Sequence, residues 1–138
     1  MRRVVVESPF AARTAEAAVE NRDYLRAALA DCFRRGEAPF ASHAIYAQRG
    51  VLNDDTPAER ALGINAGLAW SALADATIIY EDLGISPGMM GAIVLAKAAN
   101  RPIEYRRLGG YWTTIGLRRA LIVDDSYSVA SSVVEKGA

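Results

Sequence analysis

The sequence predicts an α/β protein with a doubly wound, mostly parallel sheet of four to five strands and helices on both faces. Short β-branched runs alternate with longer segments in which apolar residues recur at helical spacing. Glycine, proline and serine separate the two kinds of segment. The chain has 138 residues, of which 51% are hydrophobic, so it can bury one core. We expect that core within residues 1–110, followed by a C-terminal tail over residues 111–138.

The first half of the chain predicts strand, helix, strand and helix in that order. "RVVVES" (Arg3–Ser8) is a β-branched run that stops at Ser-Pro, which is typical of a buried strand. A helix is expected over residues 14–36, where apolar residues recur at helical spacing up to a terminating glycine. "APFASH" (38–43) predicts the second strand, and a polar loop follows it. Residues 57–74 predict the second helix, because Pro57 suits a helix start and mainly apolar residues recur along one helical face after it.

The second half repeats this alternation. "ATIIY" (Ala76–Tyr80) predicts the third strand, "SPGMMGAIVLAKAAN" (86–100) the third helix, and "RPIEYRRL" (101–108) the fourth strand. In the tail, "RALIV" (119–123) is a candidate fifth strand. The aromatic start of the tail is expected to form an oligomer contact, because exposed aromatic residues often mark interfaces.

Composition limits the partners and the location. Lys plus Arg equals Asp plus Glu at 16 each, so no electrostatic footprint indicates duplex nucleic acid or an anionic membrane. No apolar run approaches the ~20 residues that span a bilayer, and the first apolar run is too short for a signal peptide. The single cysteine, Cys32, excludes an internal disulfide and suits a reducing cytoplasm, where we expect the protein. We expect no metal and no cofactor, because no cluster of ligating residues has metal spacing.

The turn before the third helix is the most informative element for function. Ligands of doubly wound folds bind beyond the carboxyl ends of the strands, where this turn lies. Gly84 and Gly88 allow a ligand to approach the backbone closely. Ser86 can cap the helix, and free N–H groups there suit a phosphate or a sugar hydroxyl. The alternative is an ordinary turn with a capped helix.

Other strand ends add candidate residues. Glu7 ends a buried strand, and acids are rarely placed there without a partner, so a ligand contact is favoured over a helix cap. His43, the single histidine, is equally suited to a ligand contact and to a structural hydrogen bond. The expected ligand-binding residues share a place at these strand ends: Ser8, Pro9, Phe10, His43, Glu81, Gly84, Ser86, Gly88 and Met89.

Four segments in this order resemble the nucleoside 2-deoxyribosyltransferase-like proteins, most closely a small uncharacterised phage and bacterial branch. They are "VVVESPF", "APFASHAIYAQ", "ERALGINAGLAWSALADATIIY" and "DLGISPGMMGAIVLAKAANRPIEY", and they cover roughly residues 3–108. The resemblance implies a five-stranded α/β domain with a nucleoside or nucleotide pocket. It also implies cleavage or exchange of the N-glycosidic bond, and a homodimer or higher homo-oligomer in which a neighbouring subunit completes the pocket.

The chain departs from this family at the nucleophile. The family pattern S-x-G-M-x-x-E-I carries a glutamate that attacks the anomeric carbon, and here that position is Ala92. In the opposite direction, Glu7 and Ser8 replace an alanine–glycine pair common before "PF". We therefore expect Glu7 and Asp82 as the catalytic residues of an N-glycosidase or deoxyribosyltransferase. Two alternatives stay open: a catalytically silent protein that sequesters or senses a nucleotide, and a purely structural or interaction protein.

Overall fold

The computed structural model describes residues 1–112. The candidate fifth strand at 119–123 and the rest of the predicted oligomer contact lie outside the described residues. Strands and helices alternate along the described chain, and a 3₁₀ turn over Gly109–Trp112 ends it. The elements are β1 (Arg2–Glu7), α1 (Ala15–Arg34), β2 (Glu37–Phe40), α2 (Ser42–Ile45), α3 (Pro57–Ser71), β3 (Ala76–Tyr80), α4 (Pro87–Ala98) and β4 (Ile103–Arg106).

The described strands form one parallel sheet in the order β2-β1-β3-β4, which confirms the predicted doubly wound α/β fold. The chain adds β2 on one side of β1, then crosses to the other side to add β3 and β4. The strand order therefore reverses between β1 and β3, whose register pairs Val4 with Ala76 and Glu7 with Ile79. Ligands of such sheets bind at this switch point, beyond the carboxyl ends of the strands.

Helices cover both faces of the sheet, as predicted. Val4 and Val6 of β1 pack with Ile78 and with Tyr24 of α1 in the larger core cluster. On the opposite face, Ile79 packs against Met89 and Ile93 of α4. Successive strand residues point to opposite faces, so Glu7 points to the α4 side and away from α1.

The structure differs from the predicted boundaries beside the cleft. The second strand ends at Phe40, and of the remaining residues of the predicted strand Ala41 caps the short helix α2 while Ser42 and His43 begin it. This helix packs closely on α3: a Cβ added to Gly67 would lie 2.9 Å from Cβ of Ser42. The second predicted helix was expected to reach residue 74, but α3 ends at Ser71, whose Oγ donates to the carbonyl of Gly67 over 2.7 Å. The approach of Gly67 to Ser42 joins segments that are distant in the sequence, so local sequence patterns do not report it.

A buried ion pair ties the two edge strands together beneath α1. The guanidinium of Arg106 on β4 donates to both carboxylate oxygens of Glu37 at the start of β2, each over 2.8 Å. Both side chains are buried, with exposed fractions of 8% and 7%. Arg106 also bonds Glu104 over 2.6 Å, and the Arg106 hydrogen bond holds the pKa of Glu37 below its usual range. This pair links β2 to β4 across the α1 face of the sheet, opposite the face to which Glu7 points.

Candidate functional site

A cleft of about 480 Å³ lies at the carboxyl end of β1 and is walled by α2, α3 and α4. Its position matches the switch point between β1 and β3. Most of the residues that the sequence predicts for a site line this cleft: Glu7, Ser8, Phe10, His43, Ser86, Gly88 and Met89. Pro9, Glu81, Asp82 and Gly84 are not among the lining residues. The structure thus brings the residues after β1, in α2 and at the start of α4 to one place.

Glu7 places a carboxyl group in the cleft without a direct partner. Its side chain makes no hydrogen bond or ion pair with any other part of residues 1–112. Burial raises the pKa of Glu7 to about 7, and the charge of Arg101 opposes that shift only in part. The guanidinium of Arg101 is held elsewhere, because it donates to Oγ1 of Thr77 over 2.9 Å and to the carbonyl of Ser71 over 2.8 Å. Glu7 is therefore present in both protonation states near neutral pH.

Ser8 and His43 form a hydrogen-bonded pair beside Glu7. The Ser8 Oγ lies 3.0 Å from Nε2 of His43. Burial lowers the pKa of His43 to about 4, so the imidazole is neutral at physiological pH. The ring of Phe10 packs edge-on against that of His43, with the ring centroids 5.9 Å apart. The pair fixes α2 against the end of β1 and gives the cleft a neutral polar wall.

The start of α4 is a capped turn that offers little to an anion. Ser86 caps the helix: its Oγ accepts from the N–H of Met89 over 3.3 Å, and its carbonyl accepts from the N–H of Met90 over 2.9 Å. Pro87 has no N–H. Within residues 1–112 no group accepts a hydrogen bond from the N–H of Gly88, which therefore remains open to a ligand. A single open donor suits a sugar hydroxyl better than a phosphate, which needs several donors.

Asp82 is held on the α1 side of the sheet, away from the lining of the cleft. Its carboxylate accepts hydrogen bonds from Oη of Tyr24 over 2.5 Å and from the N–H groups of Leu108 and Gly109, each over 2.9 Å. Burial opposes its ionisation, but these hydrogen bonds hold the pKa of Asp82 below its usual range. Through these hydrogen bonds Asp82 links α1 to the segment after β4, so its role is structural.

The two other predicted residues near Asp82 also have local partners. The carboxylate of Glu81 accepts from Nε of Arg107 over 3.2 Å. Gly84 has a φ of +85°, a conformation that favours glycine, and its N–H donates to the carbonyl of Glu81 over 2.9 Å. The role of this glycine is to close the turn.

Helix α3 contributes lining residues that the sequence interpretation did not single out. Gly63, Gly67 and Ser71 recur every four residues and all line the cleft. Small residues at that spacing form one face of a helix and let neighbouring atoms approach closely. This repeat was the signal that could have identified them. Ala92 also lines the cleft, at the position where the resemblance places a glutamate.

The charged residues of the cleft lie mostly along one edge. Asp54, Glu59 and Arg60 line both the cleft and an open depression next to it, whereas Glu7 lines the cleft alone. Arg60 is paired with Asp54 over 3.2 Å. Over residues 1–112, no group of three or more acidic, histidine or cysteine side chains is placed to hold a metal ion. In the same range, no helix has the length and apolar character needed to cross a membrane.

The comparisons with known proteins agree with this fold. A family described as a domain of unknown function, DUF7768, matches residues 2–106. Among solved structures, the chain is similar to a 2-deoxyribosyltransferase from the psychrotolerant bacterium Bacillus psychrosaccharolyticus, with a TM-score of 0.60 and 16% sequence identity. The match covers 78% of this chain and 74% of that one. At this identity the likeness shows a shared fold. No curated protein matches the chain significantly.

Proposed function

The chain belongs to the DUF7768 family, and we propose that its cleft binds a nucleoside or nucleotide and that the protein cleaves the N-glycosidic bond. The observation that carries the proposal is Glu7, a carboxyl group without a direct partner in a ligand-sized cleft of a deoxyribosyltransferase-like fold. The narrower likeness to a phage and bacterial branch stays a prediction.

The size and lining of the cleft suit a nucleoside. A volume of about 480 Å³ lies within the ~300–1,000 Å³ range of small-molecule sites. Apolar side chains such as Phe10 and Leu68 supply surface for a flat base, while Ser86 and the N–H of Gly88 offer polar contacts to a sugar. Mostly apolar walls with a few placed polar groups are typical of such sites.

A carboxyl group is the residue type that this chemistry needs. The transition state of glycosidic cleavage is cationic at the anomeric carbon, and a carboxyl group can stabilise it, attack it or protonate the leaving group. Glu7 ends a buried strand of the sheet, so its backbone is held by pairing with β3. A group on such a rigid element is positioned more reproducibly than one on a loop.

The cleft favours an unphosphorylated nucleoside over a nucleotide. Three acidic residues line it, namely Glu7, Asp54 and Glu59, and its one lining cation within residues 1–112, Arg60, is already paired with Asp54. The capped start of α4 adds one open N–H. A phosphate would therefore meet net negative charge with few donors, which costs affinity.

The test is a panel of ribo- and deoxyribonucleosides and their 5′-monophosphates, with binding measured by calorimetry and released base by chromatography. We expect nucleosides to bind more tightly than the matching monophosphates. Glu7→Gln should remove most base release while changing affinity by less than about tenfold, or roughly 1.4 kcal/mol. Glu20→Gln, which changes an exposed acid on α1, is the matched control and should behave as the wild type.

One observation favours a second function, that of a catalytically silent nucleotide-binding protein. Ala92 lines the cleft where the resemblance places the nucleophile, and a methyl group can neither attack nor stabilise a cation. Tight binding of a nucleoside or nucleotide with no base release from any member of the panel would establish this second function and refute the first.

Self-association is also part of the proposal. Helix α4 exposes apolar side chains to solvent: 50% of Met90 and 61% of Val94 are accessible. Trp70 of α3 is 56% exposed. Exposed apolar surface on helices is typical of an interface between copies. We expect a homodimer or larger assembly, and a monomer in light scattering at micromolar concentration would contradict this.

A further inference from the structure

The surroundings of Glu7 stabilise its neutral acid more than its carboxylate. An ionised carboxylate needs hydrogen-bond donors or a paired cation, and residues 1–112 supply Glu7 with no hydrogen bond or ion pair. The charge of Arg101 acts on Glu7, but the Arg101 guanidinium is hydrogen-bonded to Thr77 and Ser71. Burial without donors therefore favours the protonated form of Glu7, which remains populated up to neutral pH, and the rise of its pKa to about 7 agrees with this arrangement.

The other titratable groups of the cleft do not reverse this preference. From α2, His43 is neutral because burial lowers its pKa to about 4. Asp54 and Arg60 form an ion pair and largely offset each other. Glu59 of α3 adds negative charge, which disfavours a second carboxylate nearby. Lys97, the basic residue in the last turn of α4, is not among the lining residues.

A nucleophile and a general acid require opposite protonation states. A glutamate that attacks the anomeric carbon must be ionised, and it works with a second group that protonates the leaving base. In this cleft, alanine at position 92 stands where the resemblance leads one to expect an acid on α4. The acids Asp54 and Glu59 lie at the edge that the cleft shares with the outer depression. Glu7 is left as the one inner carboxyl group among the described lining residues. A single protonated carboxyl group is suited to donating its proton.

We propose, on the basis of the function proposed above, that Glu7 is the general acid of a nucleoside hydrolase and that water, rather than an enzyme carboxylate, attacks the sugar. The bond between C1′ and the base nitrogen breaks as the proton of Glu7 moves to the base. The electron pair of that bond stays with the base. Water adds to C1′ and releases one proton to solvent, and Glu7 regains a proton from solvent. The products are the free base and the free sugar.

This role indicates purine nucleosides as the substrate class. Adenine and guanine carry ring nitrogens that can accept a proton while the base is still attached to the sugar, and protonation makes the base a better leaving group. General acid catalysis of this type contributes roughly 10²- to 10⁴-fold in rate. A substrate whose leaving group departs readily as an anion needs no such help.

The test compares two leaving groups in the same variants. Adenosine and deoxyadenosine require protonation of the base, whereas 4-nitrophenyl β-D-ribofuranoside releases 4-nitrophenolate without it. For Glu7→Gln we expect release of adenine to fall at least about 100-fold, with release of 4-nitrophenolate within about threefold of the wild type. The wild-type rate with adenosine should decrease as pH rises through about 7, while the rate with the 4-nitrophenyl substrate should not. Equal losses on both substrates, or a rate that rises through pH 7, would show that Glu7 acts as a nucleophile and overturn the inference.

A readout independent of activity comes from the protonation of Glu7 itself. Carboxyl ¹³C NMR of the full chain, with Glu7 assigned by the Glu7→Gln variant, should show that Glu7 titrates near pH 7, well above the ordinary glutamate value of 4.5. Titration at an ordinary glutamate pKa would overturn the inference even if the protein cleaves nucleosides. If the wild type binds adenosine but releases neither product, both the inference and the catalytic part of the proposed function fail, and nucleoside binding alone remains.

Discussion

The hydroxyl oxygen of Ser8 lies 3.0 Å from Nε2 of His43, and this hydrogen bond joins the end of β1 to the short helix α2. Ser8 directly follows Glu7, so the same bond holds the strand end that carries the candidate acid. His43 is neutral because burial lowers its pKa to about 4. A half-buried imidazole that is held neutral in the folded state makes the stability of the protein fall as pH falls.

We predict that His43 makes the protein less stable in mild acid. In the unfolded chain His43 becomes charged below its ordinary pKa of about 6.5, whereas in the folded chain it stays neutral down to about 4. Its contribution is complete above pH 6.5 and is lost as pH falls towards 4, by up to about 3 kcal/mol. Urea denaturation at pH 7.5 and pH 4.5 measures it. For His43→Gln we expect the free energy of unfolding at pH 7.5, minus that at pH 4.5, to be smaller than the same signed difference for the wild type. An unchanged signed difference would contradict the assignment.

Gly67 is predicted to tolerate no side chain, because α3 and α2 meet there. A Cβ at Gly67 would lie 2.9 Å from Cβ of Ser42. Gly67→Ala gains about 1 kcal/mol of helix propensity but forces the helices apart, which typically costs about 1–3 kcal/mol. We expect a net loss of stability and a change in the cleft that lowers ligand affinity. Thermal unfolding and calorimetric titration provide the two measurements.

The matched control for this prediction is Gly91→Ala in α4. An added Cβ at Gly91 meets nothing within 4 Å, so only the propensity gain of roughly 1 kcal/mol remains. We expect this variant to be more stable than the wild type. Ser42→Gly should partly rescue Gly67→Ala, because it removes the opposing Cβ. If Gly67→Ala and Gly91→Ala are equally stabilising, the close approach of the two helices is wrong.

The strands and three main helices could be predicted because their signals are local. "ATIIY" is buried on both faces in the structure, as a β-branched run predicts. Ser86 caps α4 and Thr14 caps α1, each at a place that the sequence marks. Residues 42 and 43 were wrongly predicted as strand, and residues 44 and 45 as loop, because their helix depends on packing against α3, a contact between segments that are distant in the sequence.

The candidate site was only partly predictable for a related reason. Strand ends can be located from the sequence, but the face on which each side chain lies depends on the register of the sheet. Glu7 ends one buried strand and Asp82 follows another, yet Glu7 points to the α4 side while Asp82 bonds Tyr24 on the α1 side. As a cap, Ser86 also accepts a hydrogen bond from the N–H of Met89, one of the groups that the sequence suggested were free for a ligand. These outcomes follow from three-dimensional packing, which a motif does not contain.

The pair of Arg106 and Glu37 is predicted to be essential for stability and not for ligand binding. Removing one partner leaves the other buried charge with a single remaining ion pair within residues 1–112, Glu37 with Arg2 or Arg106 with Glu104. We therefore expect a cost near the lower end of the roughly 3–5 kcal/mol that is typical of breaking a buried pair. We expect Arg106→Met and Glu37→Gln each to lower the denaturation midpoint strongly. Arg3→Met, which breaks an exposed pair with Asp75, is the control and should cost at most about 1 kcal/mol. Similar small losses for all three variants would show that the buried pair adds little.

Glu7 is predicted to reduce the stability of the protein at neutral and alkaline pH. In the unfolded chain its carboxyl group ionises above about pH 4.5, whereas in the folded chain burial holds the proton until about pH 7. Between these values only the unfolded state gains from ionisation, so stability falls as pH rises from 4.5 to 7 and the full penalty persists above 7. The shift corresponds to at most about 3 kcal/mol.

Glu7→Gln keeps the shape of the side chain and removes the ionisation, so this variant should be more stable than the wild type at pH 8 and close to it at pH 4.5. Urea denaturation at the two pH values measures the effect, with Glu20→Gln as the exposed control. A stabilisation of the same size at both pH values would mean that Glu7 is not held as a neutral acid, and the assignment of its protonation state would be wrong.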